Sequence, residues 1–206
     1  AGELVQIDGS HHDWFEGRAS KCCLIAFIDD ATGRVVGARF FEQETTQGYL
    51  AVLHALVQRI GAPLALYSDR HGIFTKADPE DVKPTQFERA LLQLDIEPIC
   101  AHSPQAKGRV ERNFLTAQDR LVKGLRVAGA STLEQANQYL EESYLVWWER
   151  ELTVASASPD DAHRPIEAAH NLAGAWSHVE TRQVRNDYTL RFDSVLYRVK
   201  RESIVS

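Results

Sequence analysis

Three acidic residues stand where strands and a helix are expected to begin or end. Asp8 closes the first predicted strand, Asp69 closes the fourth in LALYSDRHG, and Glu111 opens a helix in SPQAKGRVERNF. If those two strands are neighbours in a sheet, their acids emerge side by side, and a helix across that edge brings Glu111 to them. Three converging carboxylates repel one another unless cations lie between them. Oxygen ligands suit Mg²⁺ or Mn²⁺, and two such ions promote in-line displacement at phosphorus.

Each of these acids also has a simpler interpretation, because the chain contains 29 acidic residues. Asp69 alone fits a turn or a helix cap, and Glu111 alone fits a solvated position on a helix. Only the placement of all three acids at the ends of neighbouring elements predicts a metal site.

Hydrophobic periodicity predicts the elements that would position these acids. The strands are expected at 3–8, 21–29, 34–41, 64–68 and 96–100. The helices are expected at about 45–60, 85–95, 109–127 and 133–152, the first capped by Thr45 or Thr46. Polar loops are expected at 9–20 and 75–84. Three antiparallel strands followed by alternating helices and strands indicate an α/β fold, a mixed five-stranded sheet flanked by helices.

Four segments, in this order, resemble the DDE recombinases, which include retroviral integrases and bacterial insertion-sequence transposases. These segments are VQIDGSHH, IDDATGRVVGARFFEQETTQGYLAVLHALVQRIGAP, LYSDRHGIF and HSPQAKGRVERNF. The similarity runs from about residue 3 to about residue 151. It implies a ribonuclease H-like fold and an integrase-type catalytic core.

The resemblance also implies a mechanism. Asp8 would bridge two Mg²⁺ ions, for which Mn²⁺ would substitute, while Asp69 and Glu111 would each hold one ion. Water would nick the 3′ end of a mobile element, and the freed 3′-hydroxyl would attack a target phosphate by direct transesterification. DNA is the implied partner, and a homo-oligomer is expected because two element ends must be joined.

Residues near the three acids are candidates for contacts to DNA. Lys107 lies four positions before Glu111, and the matching position touches the DNA end in the retroviral relatives. An ordinary helix ion pair is the alternative, although Lys before Glu is the weaker order for that pair. Further candidates are Gln105, Arg109, Arg112 and His71.

Composition and charge are those of a soluble globular protein with a local basic footprint. The 206 residues are 44% hydrophobic and carry a net charge of −6. Segment 101–127 nevertheless holds six basic residues against two acidic ones. The absence of an apolar leader or spanning run predicts a cytoplasmic protein, and the three cysteines are expected to be free thiols. The chain contains no Met, so we expect a fragment whose end-binding domain lies elsewhere.

Three regions are predicted along the chain: the catalytic core at 1–152, a linker at 153–175 with a short helix near 166–173, and a β-rich segment at 176–206. The last resembles the small β-barrel that follows the core in many of these transposases, or a part of it. Two alternative functions stay open at this point. One is a metal-dependent nuclease of the same fold, and the other is a domesticated DNA-binding protein without catalysis.

Overall fold

The computed structural model describes residues 1–76, 78, 80–81, 83–101, 108–167 and 170–200, with side chains in the helix at 108–127 described from residue 112 onward. The chain forms two compact units, Ala1–Trp176 and Ser177–Ser206. None of the described helices is long and apolar enough to cross a membrane.

The first unit contains a mixed five-stranded sheet, as predicted. Its strands are β1 (Leu4–His12), β2 (Cys22–Asp29), β3 (Val35–Phe41), β4 (Ala65–Ser68) and β5 (Glu97–Cys100). They lie in the order β3-β2-β1-β4-β5, with antiparallel pairing among β3, β2 and β1 and parallel pairing of β1 with β4 and of β4 with β5. All eight residues of β2 are buried, which agrees with its continuous apolar run.

Helices cover both faces of this sheet. They are α1 (Thr46–Ile60), α2 (Gln86–Gln93), α3 (Gly108–Val127), α4 (Leu133–Tyr139), α5 (Leu145–Glu151) and α6 (Leu172–Trp176), with a π-helical turn at Leu140–Tyr144 between α4 and α5. One core cluster contains apolar residues of α1 and α2, and the other contains residues of α3, α4 and α5. The sheet is therefore enclosed between two helical layers.

Local signals account for the ends of α1 and α2. Thr45 caps α1, since its hydroxyl accepts a hydrogen bond from the Gly48 amide at 3.1 Å. Gly61 ends this helix with a φ of 98°, a conformation that glycine adopts readily. Thr85 and Glu88 form a capping box at the start of α2, where each side chain accepts a hydrogen bond from the other residue's amide.

Two predicted boundaries were wrong, and one predicted helix contains an irregular turn. Strand β1 continues to His12 instead of ending at Asp8, because residues 9–12 of the predicted loop pair with β2. The helix predicted at 133–152 contains the π-helical turn. The short helix expected near 166–173 instead begins at Leu172, where the Asn171 carboxamide oxygen accepts a hydrogen bond from the Gly174 amide at 2.9 Å.

The exposed edge of the sheet at β3 is covered by two side chains. The Asn137 carboxamide of α4 accepts from the Phe40 amide at 2.8 Å and donates to the Phe40 carbonyl at 3.2 Å. The Arg59 guanidinium of α1 donates to the Val36 carbonyl. Because an uncovered edge strand is a template for pairing with another chain, these bonds protect β3.

The segment expected as a linker packs along the first unit. The Val154 amide bonds to the Thr32 carbonyl, the Ala162 amide to the Ala1 carbonyl, and the Arg164 amide to the Ala62 carbonyl, at 2.8 to 2.9 Å. In the second unit, β6 (Thr189–Phe192) and β7 (Val195–Arg198) form a hairpin. The division of the chain into domains at 1–152, 153–175 and 176–206 stays a prediction.

Candidate active site

Asp8 lies in the middle of β1, on the face that α3 covers. It pairs with Ala26 of β2, whose side chain belongs to the core cluster that contains residues of α3. Two positions further along the same face, the Ser10 hydroxyl accepts a hydrogen bond from the Gln118 carboxamide at 3.1 Å. Since strand residues two apart share a face, Asp8 faces the same helix.

Asp69 directly follows β4, the parallel neighbour of β1. The register pairs Leu4 with Ala65 and Gln6 with Tyr67, and the same offset sets Asp69 opposite Asp8. Neighbouring strands lie about 4.8 Å apart. The recorded pairing ends at Gln6 and Tyr67, so the closeness of Asp8 and Asp69 follows from continuing this offset by two residues. Asp8 lies inside its strand and not at its end.

A tight turn follows Asp69. The His71 amide donates to the Asp69 carboxylate at 2.9 Å, and the Ile73 amide donates to Nδ1 of the exposed His71 ring at 3.4 Å. The Phe74 ring is buried and packs edge-on against Tyr49, with ring centroids 4.8 Å apart. The turn that carries Asp69 and His71 is thereby attached to the core.

Glu111 lies in the first turn of α3, and its side chain lies outside the described part of the structure. The spacing of three, four and three residues puts Glu111, Phe114, Gln118 and Leu121 on one helix face. Phe114 and Leu121 are buried in the core, and Gln118 contacts Ser10 of β1. The backbone of α3 thus sets position 111 on its sheet-facing side.

The candidate DNA contacts divide into two groups. Arg112 is exposed next to the start of α3, and His71 is exposed on the turn after Asp69. Lys107 and Gln105, together with the side chain of Arg109, lie outside the described residues.

The sequence interpretation missed Glu44 and Tyr49, which close over Gly9, the residue after Asp8, on the sheet face opposite to α3. The fully buried Tyr49 hydroxyl donates to the Glu44 carboxylate at 2.6 Å. A Cβ built on Gly9 would lie 2.7 Å from Glu44 Cδ and 2.9 Å from Tyr49 Oη. A glycine inside a strand signals such a close approach, so Gly9 was the available clue.

Burial and nearby carboxylates control the protonation of two groups at this place. Burial, then the Glu44 hydrogen bond and the charges of Glu44 and Asp8, raise the pKa of the Tyr49 hydroxyl far above its usual range. Burial, followed by the charge of Glu44, raises the pKa of the Cys23 thiol to about 12. Both groups are therefore neutral near pH 7, and Tyr49 is a hydrogen-bond donor to Glu44.

Sequence comparison relates the chain to bacterial transposases. No family profile matches it. It is 46% identical over 172 residues to transposase y4bF of Sinorhizobium fredii (strain NBRC 101917 / NGR234), and 41% identical over 145 residues to the transposase for insertion sequence IS1202 of Streptococcus pneumoniae. The alignments cover 82% and 68% of this chain but 37% and 31% of those proteins. The chain thus spans about a third of the length of these curated relatives.

Structural comparison relates the fold to viral integrases. The HTLV-2 integrase catalytic core domain in complex with magnesium, in its dimeric form, matches with a TM-score of 0.52 at 20% identity, over 76% of this chain and 92% of that one. A chain of the simian T-cell lymphotropic virus intasome in complex with PP2A regulatory subunit B56 gamma matches with a TM-score of 0.55 at 20% identity. This match covers 76% of the present chain and 51% of the viral one.

The five-stranded mixed sheet and its two helical layers define an α/β protein of the ribonuclease H-like class. With its transposase relatives, the chain belongs to the superfamily of transposases and integrase catalytic cores. The family resemblance and the fold class predicted from the sequence are confirmed.

Proposed function

We propose that this chain is the catalytic core of a transposase that nicks the 3′ ends of a mobile element and joins them to target DNA. The alignment of Asp69, which directly follows β4, with Asp8 of the parallel strand β1 carries the proposal, because the β1–β4 offset continued by two residues joins these positions. The sheet-facing position of Glu111 on α3 and the transposase relatives support it.

The proposed ligands suit divalent magnesium. Two carboxylates on strands about 4.8 Å apart repel each other unless a cation lies between them. Asp8, Asp69 and Glu111 would supply oxygen ligands only, which Mg²⁺ prefers, with Mn²⁺ as a substitute. Two bound ions would supply Lewis-acid stabilisation of the attacking and leaving oxygens.

The proposed reaction has two displacements at phosphorus. In the first, a water oxygen bonds to the phosphorus at the element end, and the broken P–O bond leaves a 3′-hydroxyl on the element. In the second, that hydroxyl bonds to a target phosphorus and displaces the 3′-oxygen of the target strand, which takes up a proton. Asp8, Asp69 and Glu111 would hold the ions that neutralise the reacting phosphate, and both steps are in-line displacements without a covalent protein–DNA link.

Basic and polar residues around the acids would hold DNA. Arg112 and His71 are exposed near the acids, and Lys107, Gln105 and Arg109 precede or surround Glu111 in the sequence. Such contacts to phosphates position a strand without selecting its base sequence. Because two element ends must be joined to one target, the proposed working form is a homo-oligomer on DNA.

The test is a joining assay with the longest form of the protein. Oligonucleotides with a 3′-hydroxyl and the element's terminal sequence are mixed with a plasmid target and Mg²⁺ or Mn²⁺. We expect joined product from the wild-type protein and at least a hundredfold less from Asp69→Asn and Glu111→Gln, because each variant removes a proposed ligand charge.

Matched controls are Asp119→Asn and Glu141→Gln, which change exposed carboxylates on the helical layer. Both controls are expected to join DNA as the wild type does. Cutting without joining, lost in the same two variants, would instead indicate the nuclease. Metal-independent DNA binding without chemistry would indicate the non-catalytic binding protein.

A further inference from the structure

The face of β1 that α3 covers carries polar side chains. Strand side chains alternate between faces, and the residues on this face are Gln6, Asp8, Ser10 and His12. The buried residues of α3 instead share a core cluster with Leu24 and Ala26 of the neighbouring strand β2. Burial of apolar surface therefore does not by itself fix where α3 lies over β1.

A hydrogen bond supplies a directional contact between α3 and β1. The Gln118 carboxamide of α3 donates to the Ser10 hydroxyl of β1 at 3.1 Å. On the same face of α3, Phe114 and Leu121 are buried on either side of Gln118. Apolar contacts have no preferred direction, whereas a hydrogen bond requires a narrow range of distance and angle. The bond from Gln118 therefore fixes the position of α3 along β1.

Ser10 is itself held firmly in the sheet. It is only 8% exposed and pairs with Leu24 of β2. Its carbonyl accepts a hydrogen bond from the buried Trp14 indole at 3.1 Å. The Trp14 ring packs edge-on against Phe40 of β3, with ring centroids 5.4 Å apart. A helix that is bonded to Ser10 thus takes its position from the sheet.

The bond joins the two elements that carry Asp8 and Glu111. Ser10 lies two residues after Asp8 on the same face of β1, about 7 Å along the strand. Gln118 lies seven residues after Glu111 on the same face of α3, about 10 Å along the helix axis. A helix moves nearly as a rigid body over two turns, so a shift of α3 at Gln118 also moves the backbone at position 111.

We propose that Gln118 is a positioning residue, whose bond to Ser10 sets the separation of Asp8 and Glu111 for metal binding. This inference rests on the proposed function, since it takes both acids as ligands of the metal. Ligands must be held within about 0.5 Å of the productive geometry. Without the bond, apolar packing keeps α3 on the sheet but lets it occupy more than one position, which weakens metal binding more than it weakens the fold.

The test measures the Mn²⁺ affinity of the full-length protein without DNA, from the electron paramagnetic resonance signal of the free ion. Ser10→Ala and Gln118→Met each remove one partner of the bond, and Ser10→Thr keeps the hydroxyl. Asp8→Asn identifies the binding that belongs to the proposed metal site. Val122→Ala is the destabilised control, because Val122 is buried on α3 and its truncation leaves both partners of the bond in place. Urea unfolding verifies that each variant is folded.

We expect Ser10→Ala and Gln118→Met to raise the Mn²⁺ dissociation constant about five- to tenfold, less than the loss of a direct partner of a metal ligand usually does. Ser10→Thr should restore the wild-type value, and Val122→Ala should keep it despite its lower stability. An unchanged dissociation constant in both bond-deleting variants, or an equal increase in Val122→Ala, would overturn the proposal.

A joining assay separates this inference from the proposed function. In Ser10→Ala and Gln118→Met, the Mg²⁺ concentration for half-maximal joining should rise by a larger factor than the rate at saturating Mg²⁺ falls. Mn²⁺ binding that weakens in these variants, without joining by any form, would refute the proposed catalysis and retain the role of Gln118. A wild type that binds Mn²⁺ no better than Asp8→Asn would refute the metal site and this inference together.

Discussion

The missing side chain at Gly9 lets Glu44 and Tyr49 close over β1 one residue after Asp8, on the face of the sheet opposite to α3. The two residues share a 2.6 Å hydrogen bond, and Tyr49 also packs against Phe74 of the turn after Asp69. One small cluster therefore contacts both segments that carry a predicted acid. The cluster fixes the backbone around the acids without supplying one of the three proposed ligands.

Gly9→Ala is expected to lower the free energy of unfolding by about 1 to 3 kcal/mol, because the new methyl group meets Glu44 and Tyr49 in a packed site. In a Glu44→Ala background the cost should be smaller, since one of the two crowded groups is gone. Urea unfolding followed by tryptophan fluorescence gives the free energy of unfolding of the wild type, of the two single variants and of the double variant.

Gly72→Ala is the matched control, because a Cβ at Gly72 has no atom within 4 Å. We expect a change within about 0.5 kcal/mol for this variant. Equal costs of Gly9→Ala in the two backgrounds would show that Glu44 does not crowd this position.

Among the elements, the edge strand β3 depends most on contacts from distant parts of the chain. The Asn137 side chain lies 97 positions away from Phe40 and bonds to both its amide and its carbonyl. This carboxamide thereby occupies the place of a further strand residue. No periodicity within β3 or α4 indicates such a pair, which is why the sequence interpretation did not include it.

Asn137→Ala is expected to lower the free energy of unfolding by about 1 to 2 kcal/mol, since two backbone groups lose their partner. It should also increase self-association, because the edge of β3 becomes available for pairing. Urea unfolding and light scattering at increasing protein concentration measure the two effects.

Gln138→Ala serves as the comparison, because Gln138 is the adjacent residue and its side chain, among the described residues, bonds only to Glu142 on the same exposed surface. It should leave both properties nearly unchanged. A Gln138→Ala variant that loses as much stability as Asn137→Ala would mean that α4 itself, and not the cover on β3, is affected.

For the whole molecule, the distribution of charge matters more than its sum. The chain has a net charge of −6, yet α3 presents the exposed Arg112 directly after position 111. The acidic parts of the chain repel DNA, whereas its basic segments attract DNA. We therefore expect weak, salt-dependent DNA binding by this chain alone, with tighter binding only where further domains add contacts.

Arg112→Ala should weaken DNA binding similarly for all sequences and reduce the slope of log Kd against log salt concentration by about 1, as expected for one lost phosphate contact. Lys123→Ala is the control on the same helix, because Asp119 pairs with this lysine at 2.5 Å. Titrations between 50 and 200 mM salt, a range in which such slopes are well resolved, measure both variants. An unchanged slope for Arg112→Ala would exclude this contact.

Much of the architecture followed from local patterns. The eight-residue apolar run of β2 predicted a strand buried on both faces, and Thr45 and Gly61 marked the ends of α1. These signals are local because caps and side-chain periodicity act within a few residues. The order of elements, together with the four resembling segments, was sufficient for the fold class and the superfamily.

The sequence by itself determined which elements form and which acids stand on β1, after β4 and at the start of α3. Only the tertiary structure decided that β1 continues past Asp8, that β4 pairs with β1 in the register that leads to Asp69, and that Glu44 and Tyr49 close over Gly9. Register, close approach and burial depend on residues far apart in the chain, and local propensity carries no information about such partners.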